Sequence, residues 1–263
     1  MSDEGKALVK ERVAGRPEIF IREWFADYLW DLFCPGCQTP IVGRIVAEVL
    51  DDLGIGDTAI MVGCVGCSGI LIGGFDVDKV SPAHGRGPDV ATAIKRIYPD
   101  TVVFTVQGDG DCIAIGAGPF TGALTRAEKI TIIMVNNTNF GTTGGQLGPT
   151  TLVGQVTTTS PDGRNPALEG YPAHAAEIAA TFKGCAYSAR GSLHTPASYQ
   201  KTKGYVKKAF QKQMNGVGTS FVEVLTACPT NWHLSPVDSL KYIEENVIPE
   251  FPLGEFRDVD SLE

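Results

Sequence analysis

Long apolar runs are missing from this sequence. No stretch reaches the roughly 18 uninterrupted apolar residues that a spanning helix needs, which argues against a membrane protein. Basic runs are missing too. Thirty acidic residues stand against 22 basic ones, for a net charge of -8, so nucleic acid and anionic membrane are poor partners. Met1-Ser2-Asp3-Glu4 lacks the basic-then-apolar layout of a secretory signal. The sequence shows no internal repeat and no low-complexity tract. A disulfide framework is also unexpected, because the seven cysteines are an odd number and the chain shows no export signal. A chain this long buries roughly 70–75% of its unfolded surface and needs no staples. The cysteines therefore read as thiols or metal ligands. With 43% hydrophobic and 20% charged residues, the expectation is a soluble, cytoplasmic α/β protein.

What is present alternates between helix and strand. Residues 1–33 are mixed in charge and end in aromatics (Phe20, Trp24, Phe25, Tyr28, Trp30, Phe33), and read as an N-terminal docking arm. Residues 34–263 then form one domain. Ile41, Val42, Ile45, Val46, Val49, Leu50 and Leu53 mark one face of a helix begun at Pro40 and ended by Gly54. Further helices are expected over residues 88–98 and 112–126. Strands are expected at 58–62, 101–106, 130–135, 186–190 and 220–226. Strands apolar on both faces and separated by helices predict a parallel sheet covered by helices on both faces. Residues 141–172 are rich in Thr, Gly and Pro, and a loop of that length is usually functional.

Two patterns carry chemistry. Gly108-Asp109-Gly110-Asp111 follows the strand 101–106 directly, and Asn136-Asn137 closes the strand 130–135, with Asn137 28 residues after Asp109. Both sites fall at carboxyl ends of parallel strands, where ligands bind. Asp109 and the Asn137 amide oxygen are hard donors suited to Mg²⁺ or Ca²⁺, and the glycines let backbone N–H groups approach a phosphate. A divalent ion between a carboxylate and a diphosphate is the expected result. The second pattern is two CxxC pairs, Cys34-Pro35-Gly36-Cys37 and Cys64-Val65-Gly66-Cys67. By spacing alone, these suggest a four-cysteine zinc site.

The GDG-to-NN pairing is the thiamine diphosphate motif. The strings VFTVQGDGD, IMVNN, FGTTGGQ and SPAHGRGPDVATAIKRIYPD resemble the thiamine-binding β subunit of the 2-oxoacid:ferredoxin oxidoreductases. FCPGC, TACPTNW and TTTSPDGRNPALEGYP are similar to its 2-oxoisovalerate branch. The resemblance runs from about residue 33 to 254. It implies the thiamine diphosphate-binding fold and, as cofactors, thiamine diphosphate, Mg²⁺ and a [4Fe–4S] cluster. The implied reaction is oxidative decarboxylation of a 2-oxoacid to an acyl-CoA, with electrons passed to ferredoxin or another acceptor.

By the same resemblance, Asp109 and Asn137 bind Mg²⁺ through side chains and Asn139 through its carbonyl. Gly108, Gly110 and Asp111 line the diphosphate, and Thr143 reaches the same phosphates. Cys34, Cys37, Cys67 and Cys228 hold the cluster, leaving Cys64 as a core residue. Cys112 and Cys185 read as buried structural thiols. His84, in HGRG, is a candidate catalytic group near the thiamine or else a structural histidine. The implied partners are pyrimidine-binding α, γ and ferredoxin-like δ chains, the 2-oxoacid and coenzyme A. Two departures stand out. Gln38-Thr39-Pro40 replaces the Gly-His-Gly that usually follows the first CxxC, and Asn139, Phe140 and Thr142 replace an aliphatic, a Tyr and a Met. Two alternatives stay open: a non-oxidative thiamine decarboxylase or synthase with structural zinc, and an Fe–S scaffold without thiamine chemistry.

Overall fold

The computed structural model describes residues 32–263, so the docking arm expected over residues 1–33 falls almost wholly outside the described residues. Seven strands form one sheet in the order β2-β1-β3-β4-β8-β7-β9. They are β1 (Ala59–Val62), β2 (Asp78–Val80), β3 (Val102–Gly108), β4 (Thr131–Asn136), β7 (Cys185–Ser192), β8 (Thr219–Leu225) and β9 (Gly254–Asp258). A short ribbon pairs β5 (Asn139–Phe140) with β6 (Gln146–Leu147). Six strands of the large sheet are parallel, and β9 runs antiparallel to β7 at one edge. The parallel reading thus needs one correction. β9 is polar and half-exposed, so it carries no apolar run to betray it.

Alternation along the central strands decides which helices cover which face. Ile133 and Val135 of β4 point to a core shared with α1 (Thr39–Leu53) and α6 (Pro196–Met214). Ile132 and Met134 point to the other core, shared with α2 (Gly87–Ile97), α3 (Ala117–Thr125) and α5 (Ala175–Thr181). Helices therefore cover both faces. A third cluster, including Leu225, Ala227, Ile243, Val247 and Phe251, closes the carboxyl end of β8.

The boundaries follow local chemistry. Pro40 sits in the first turn of α1, and Gly54 ends it in the left-handed conformation at φ 63°. The helix expected over 112–126 is two pieces. A wide π turn occupies Gly110–Ile115 before α3 begins at Ala117. The remaining helices are the short α4 (Pro166–Glu169), α7 (Pro229–Trp232), α8 (Pro236–Tyr242) and α9 (Ile248–Glu250). Among the described residues, no helix is long and apolar enough to cross a membrane.

Candidate cofactor and cluster site

Strands β3 and β4 lie side by side, with Gly108 opposite Val135, so the turns that follow them open onto one cleft. Asp109, Asn137, Asn139, His84, Thr143 and Cys67 all line it, together with Gly108, Gly110 and Asp111. The structure thus brings the expected thiamine-site residues into one place and adds a cysteine from the expected cluster set. Phe140 lies over Gly110 so closely that a Cβ there would stand 2.1 Å from its ring, and only glycine fits.

Asp109 is buried, and burial pushes its carboxyl up to about 7 despite the hydrogen bond from Thr150. A carboxylate so disfavoured alone would be relieved by a hard divalent ion. Asn137 and Asn139 supply neighbouring oxygens of the same hard type, so the donor set fits Mg²⁺. At present the Asn137 amide oxygen accepts the Asn139 N–H at 3.3 Å, and the Asn137 carbonyl accepts from Asn139 Nδ2 at 2.7 Å and Trp232 Nε1 at 3.2 Å. Between them Thr138 has φ 60°, a strained setting for a β-branched residue. It is held there from three sides. Its N–H donates to Asn136 Oδ1 (3.0 Å), its carbonyl accepts from Thr151 Oγ1 (2.6 Å), and its hydroxyl accepts from Gln155 Nε2 (2.9 Å).

Two expected groups are otherwise engaged. Both carboxylate oxygens of Asp111 are taken: one by the Gly85 N–H (2.9 Å), with His84 Nδ1 close beside it, the other by Gln107 Nε2 (2.5 Å). Its side chain therefore anchors the loop carrying His84. Thr143 Oγ1 rests on Gln146 Oε1 at 2.5 Å. The roles of Thr150, Thr151 and Gln155 are not legible in the sequence, and Asn136 is singled out there only beside Asn137. The Pro-Thr-Thr at 149–151 belongs to the string that resembles the family, but nothing in that string assigns its hydroxyls a partner.

The cysteines divide. Cys67 and Cys228 lie near enough to Cys37 to disfavour its thiolate, and Cys67 does the same to Cys228. Burial, reinforced by these two neighbours, raises Cys37 to about 11, and burial also raises Cys228. Cys67 Sγ accepts from Thr142 Oγ1 at 3.0 Å. Cys34 is exposed and is tied to Cys37 by a turn in which the Cys37 N–H donates to the Cys34 carbonyl at 3.0 Å. That turn needs Gly36, at φ 78°, whose missing Cβ would meet Pro236 at 2.6 Å. Gln38 joins this loop to the Cys228 segment. Its Oε1 accepts the Ala227 N–H and its Nε2 donates to the Leu193 carbonyl, both at 2.9 Å. Cys64 instead turns inward, donating to the Val106 carbonyl beside Ser68, and burial raises it to about 12. Cys112 and Cys185 are buried. Among the described residues, no three His, Cys, Asp or Glu side chains are drawn together as a closed metal site.

Residues 65–224 match the family described as thiamine pyrophosphate enzyme, C-terminal TPP binding domain. The chain is 41% identical over 226 residues to ketoisovalerate oxidoreductase subunit VorA of Methanothermobacter thermautotrophicus, covering 86% of this chain and 47% of that protein. It thus spans about half the length of that relative. It is also 36% identical to 2-oxoglutarate synthase subunit KorB of Archaeoglobus fulgidus, over 84% of this chain and 80% of that one. Among solved structures it resembles a 2-oxoglutarate:ferredoxin oxidoreductase from Magnetococcus marinus, whose structure contains 2-oxoglutarate, coenzyme A and succinyl-CoA. The TM-score is 0.73 at 21% identity, covering 92% of this chain and 89% of that one, a likeness of fold. The family match covers the cleft lining from Val65 to Thr143, and the relatives agree with it: this chain belongs to the thiamine pyrophosphate enzymes, among the subunits of 2-oxoacid:ferredoxin oxidoreductases.

Proposed function

We propose that residues 34–263 form the thiamine diphosphate- and [4Fe–4S]-binding part of a hetero-oligomeric 2-oxoacid oxidoreductase. The complex converts a branched-chain or aromatic 2-oxoacid to its acyl-CoA and passes the electrons to ferredoxin or another acceptor. The observation that carries this reading is the single cleft lined by both Asp109 and Cys67. An electron acceptor held by Cys67 would border the space where Asp109 holds the cofactor's ion. Bound thiamine diphosphate supplies a nucleophilic carbon for the keto group and a sink for the electrons left by CO₂.

The chain's own residues supply the setting. Asp109, the Asn137 amide and the Asn139 carbonyl hold Mg²⁺. The backbone at Gly108 and Gly110 approaches the diphosphate, as does Thr143 on releasing Gln146. His84, backed by Asp111, faces the cleft as a proton carrier. Cys34, Cys37, Cys67 and Cys228 ligate the cluster. The closeness of Cys67 and Cys228 to the buried Cys37 supports this set, because a cluster's iron stabilises thiolates that burial disfavours at Cys37 and Cys228. The inward turn of Cys64 speaks against a zinc site built on both CxxC pairs.

The test is anaerobic purification of the chain with its co-purifying partners, counting iron, zinc and thiamine per complex. Iron with thiamine, and dye reduction requiring both a 2-oxoacid and coenzyme A, is the expected outcome. Zinc in place of iron, with aldehyde released and no dye reduced, would establish the non-oxidative alternative instead.

A further inference from the structure

We propose that Thr150, Asn136 and Glu223 form a buried positioning relay that fixes the orientation of Asp109. This rests on the reading of Asp109 as an ion ligand and adds to it the groups that aim the carboxylate. None of the three belongs to the ion's expected donor set, yet all are buried.

The relay starts at Glu223, in the middle of β8 and fully buried. Its Oε2 accepts from Arg190 Nε at 2.8 Å and from the Ala176 N–H at 3.3 Å. Arg190 is itself locked by Glu177, the Pro252 carbonyl and the faces of Phe251 and Phe256. Glu223 is therefore held on one side and offers only Oε1 on the other. That oxygen can only accept, so it takes the Nδ2 end of Asn136, at 2.7 Å. The amide is then oriented. Asn136 Oδ1 must point away, toward the Thr138 N–H at 3.0 Å and Thr150 Oγ1 at 2.8 Å.

Thr150 completes the relay by bonding Asp109 Oδ2. Thr150 has one proton to give. With Asp109 protonated, the acid donates to Thr150 Oγ1 and Thr150 donates to Asn136 Oδ1. With Asp109 ionised, Thr150 donates to Asp109 Oδ2 and Asn136 Oδ1 keeps the Thr138 N–H. One carboxylate oxygen is thereby committed and the carboxyl plane is set. Buried ion pairs such as Glu223–Arg190 bring little net stability compared with apolar packing. Here the pair anchors the far end of a chain that runs from α5 to the cleft. Outer groups that orient a metal ligand typically change metal affinity by about 10–100-fold when removed.

The probe is Mn²⁺, titrated into the metal-free complex with thiamine diphosphate present and read from the electron paramagnetic resonance of free ion. Asp109→Asn should abolish tight binding. Thr150→Val should weaken it about 10–100-fold with an unchanged melting temperature for the metal-free protein, and Thr150→Ser should restore it. Glu223→Gln reads the same relay from its far end, should the valine variant not fold. Either amide orientation of E223Q sets a donor against a donor, Asn136 Nδ2 on one side or Arg190 and Ala176 on the other, so affinity should also fall. Wild-type Mn²⁺ affinity in folded T150V or E223Q, with D109N still dead, overturns the relay and leaves the ion site standing. Wild-type affinity in D109N overturns both.

Discussion

Cys64 and Cys67 sit three residues apart, yet their thiols face different surroundings. Cys67 opens to the cleft and touches Thr142, while Cys64 bonds the Val106 carbonyl under β3. Replacing Cys34, Cys37, Cys67 or Cys228 by Ala should remove most of the cluster iron, because an absent thiolate opens the cluster to solvent. Cys64→Ala should keep its iron, at a stability cost of about 1 kcal/mol for the lost packing. Iron analysis of the five variants checks this; loss in C64A with retention in C228A would restore the two-CxxC site. At this scale the sequence was legible where a donor lies in a short string, as with Gly108-Asp109-Gly110 and Asn136-Asn137. It gave Thr150 and Glu223 no role. Their partners lie 41 and 87 residues away in the chain, so no local spacing encodes them.

Among the elements, α1 shows how helix packing serves the site. Its buried stripe was readable from the spacing of Ile41 to Leu53, and Gly54 ended it as expected. What spacing could not show is that the residue before it, Gln38, bridges the two cysteine-bearing loops. Gln38→Leu should leave the fold intact, yet release cluster iron to a chelator several-fold faster than the wild type. An unchanged release rate would reduce Gln38 to packing. On the same helix, Glu48 is clamped by Arg44 at 2.9 Å and by Lys203 of α6 at 3.0 Å. Burial pushes the Glu48 carboxyl up, but hydrogen bonds from Lys203 and Arg44 outweigh it and hold the group below its usual value. A depressed carboxylate stabilises the fold fully above its unfolded value, near 4.5, and loses that contribution as pH falls through the folded value. Glu48→Gln should therefore lower the urea midpoint at pH 7, by about 2 kcal/mol in stability. The gap to wild type should close on acidification toward pH 3. A gap constant with pH would assign the loss to packing instead of charge.

For the molecule as a whole, the cleft is open on one side and, among the described residues, no glutamate lines it. On the proposed reading, the carboxylate that activates the cofactor comes from elsewhere in the complex. The chain alone should bind thiamine diphosphate weakly and reduce no dye with any 2-oxoacid plus coenzyme A; oxoacid-dependent reduction at the rate of the complex would refute this. The α/β architecture was readable because its central strands are apolar on both faces. The edge strands β2 and β9 were not, being short or polar and largely exposed. The strand order has a consequence in time. β8 lies between β4 and β7, although it is made after both. Until residues 219–225 have left the ribosome, β4 has an unpaired edge, Asn136 lacks the carboxylate that orients it, and Cys228 does not yet exist. On the proposed reading, cofactor loading waits until residues 219–228 have been made. A nascent chain stalled earlier would present an apolar edge to chaperones and aggregation partners rather than a half-built site to metal.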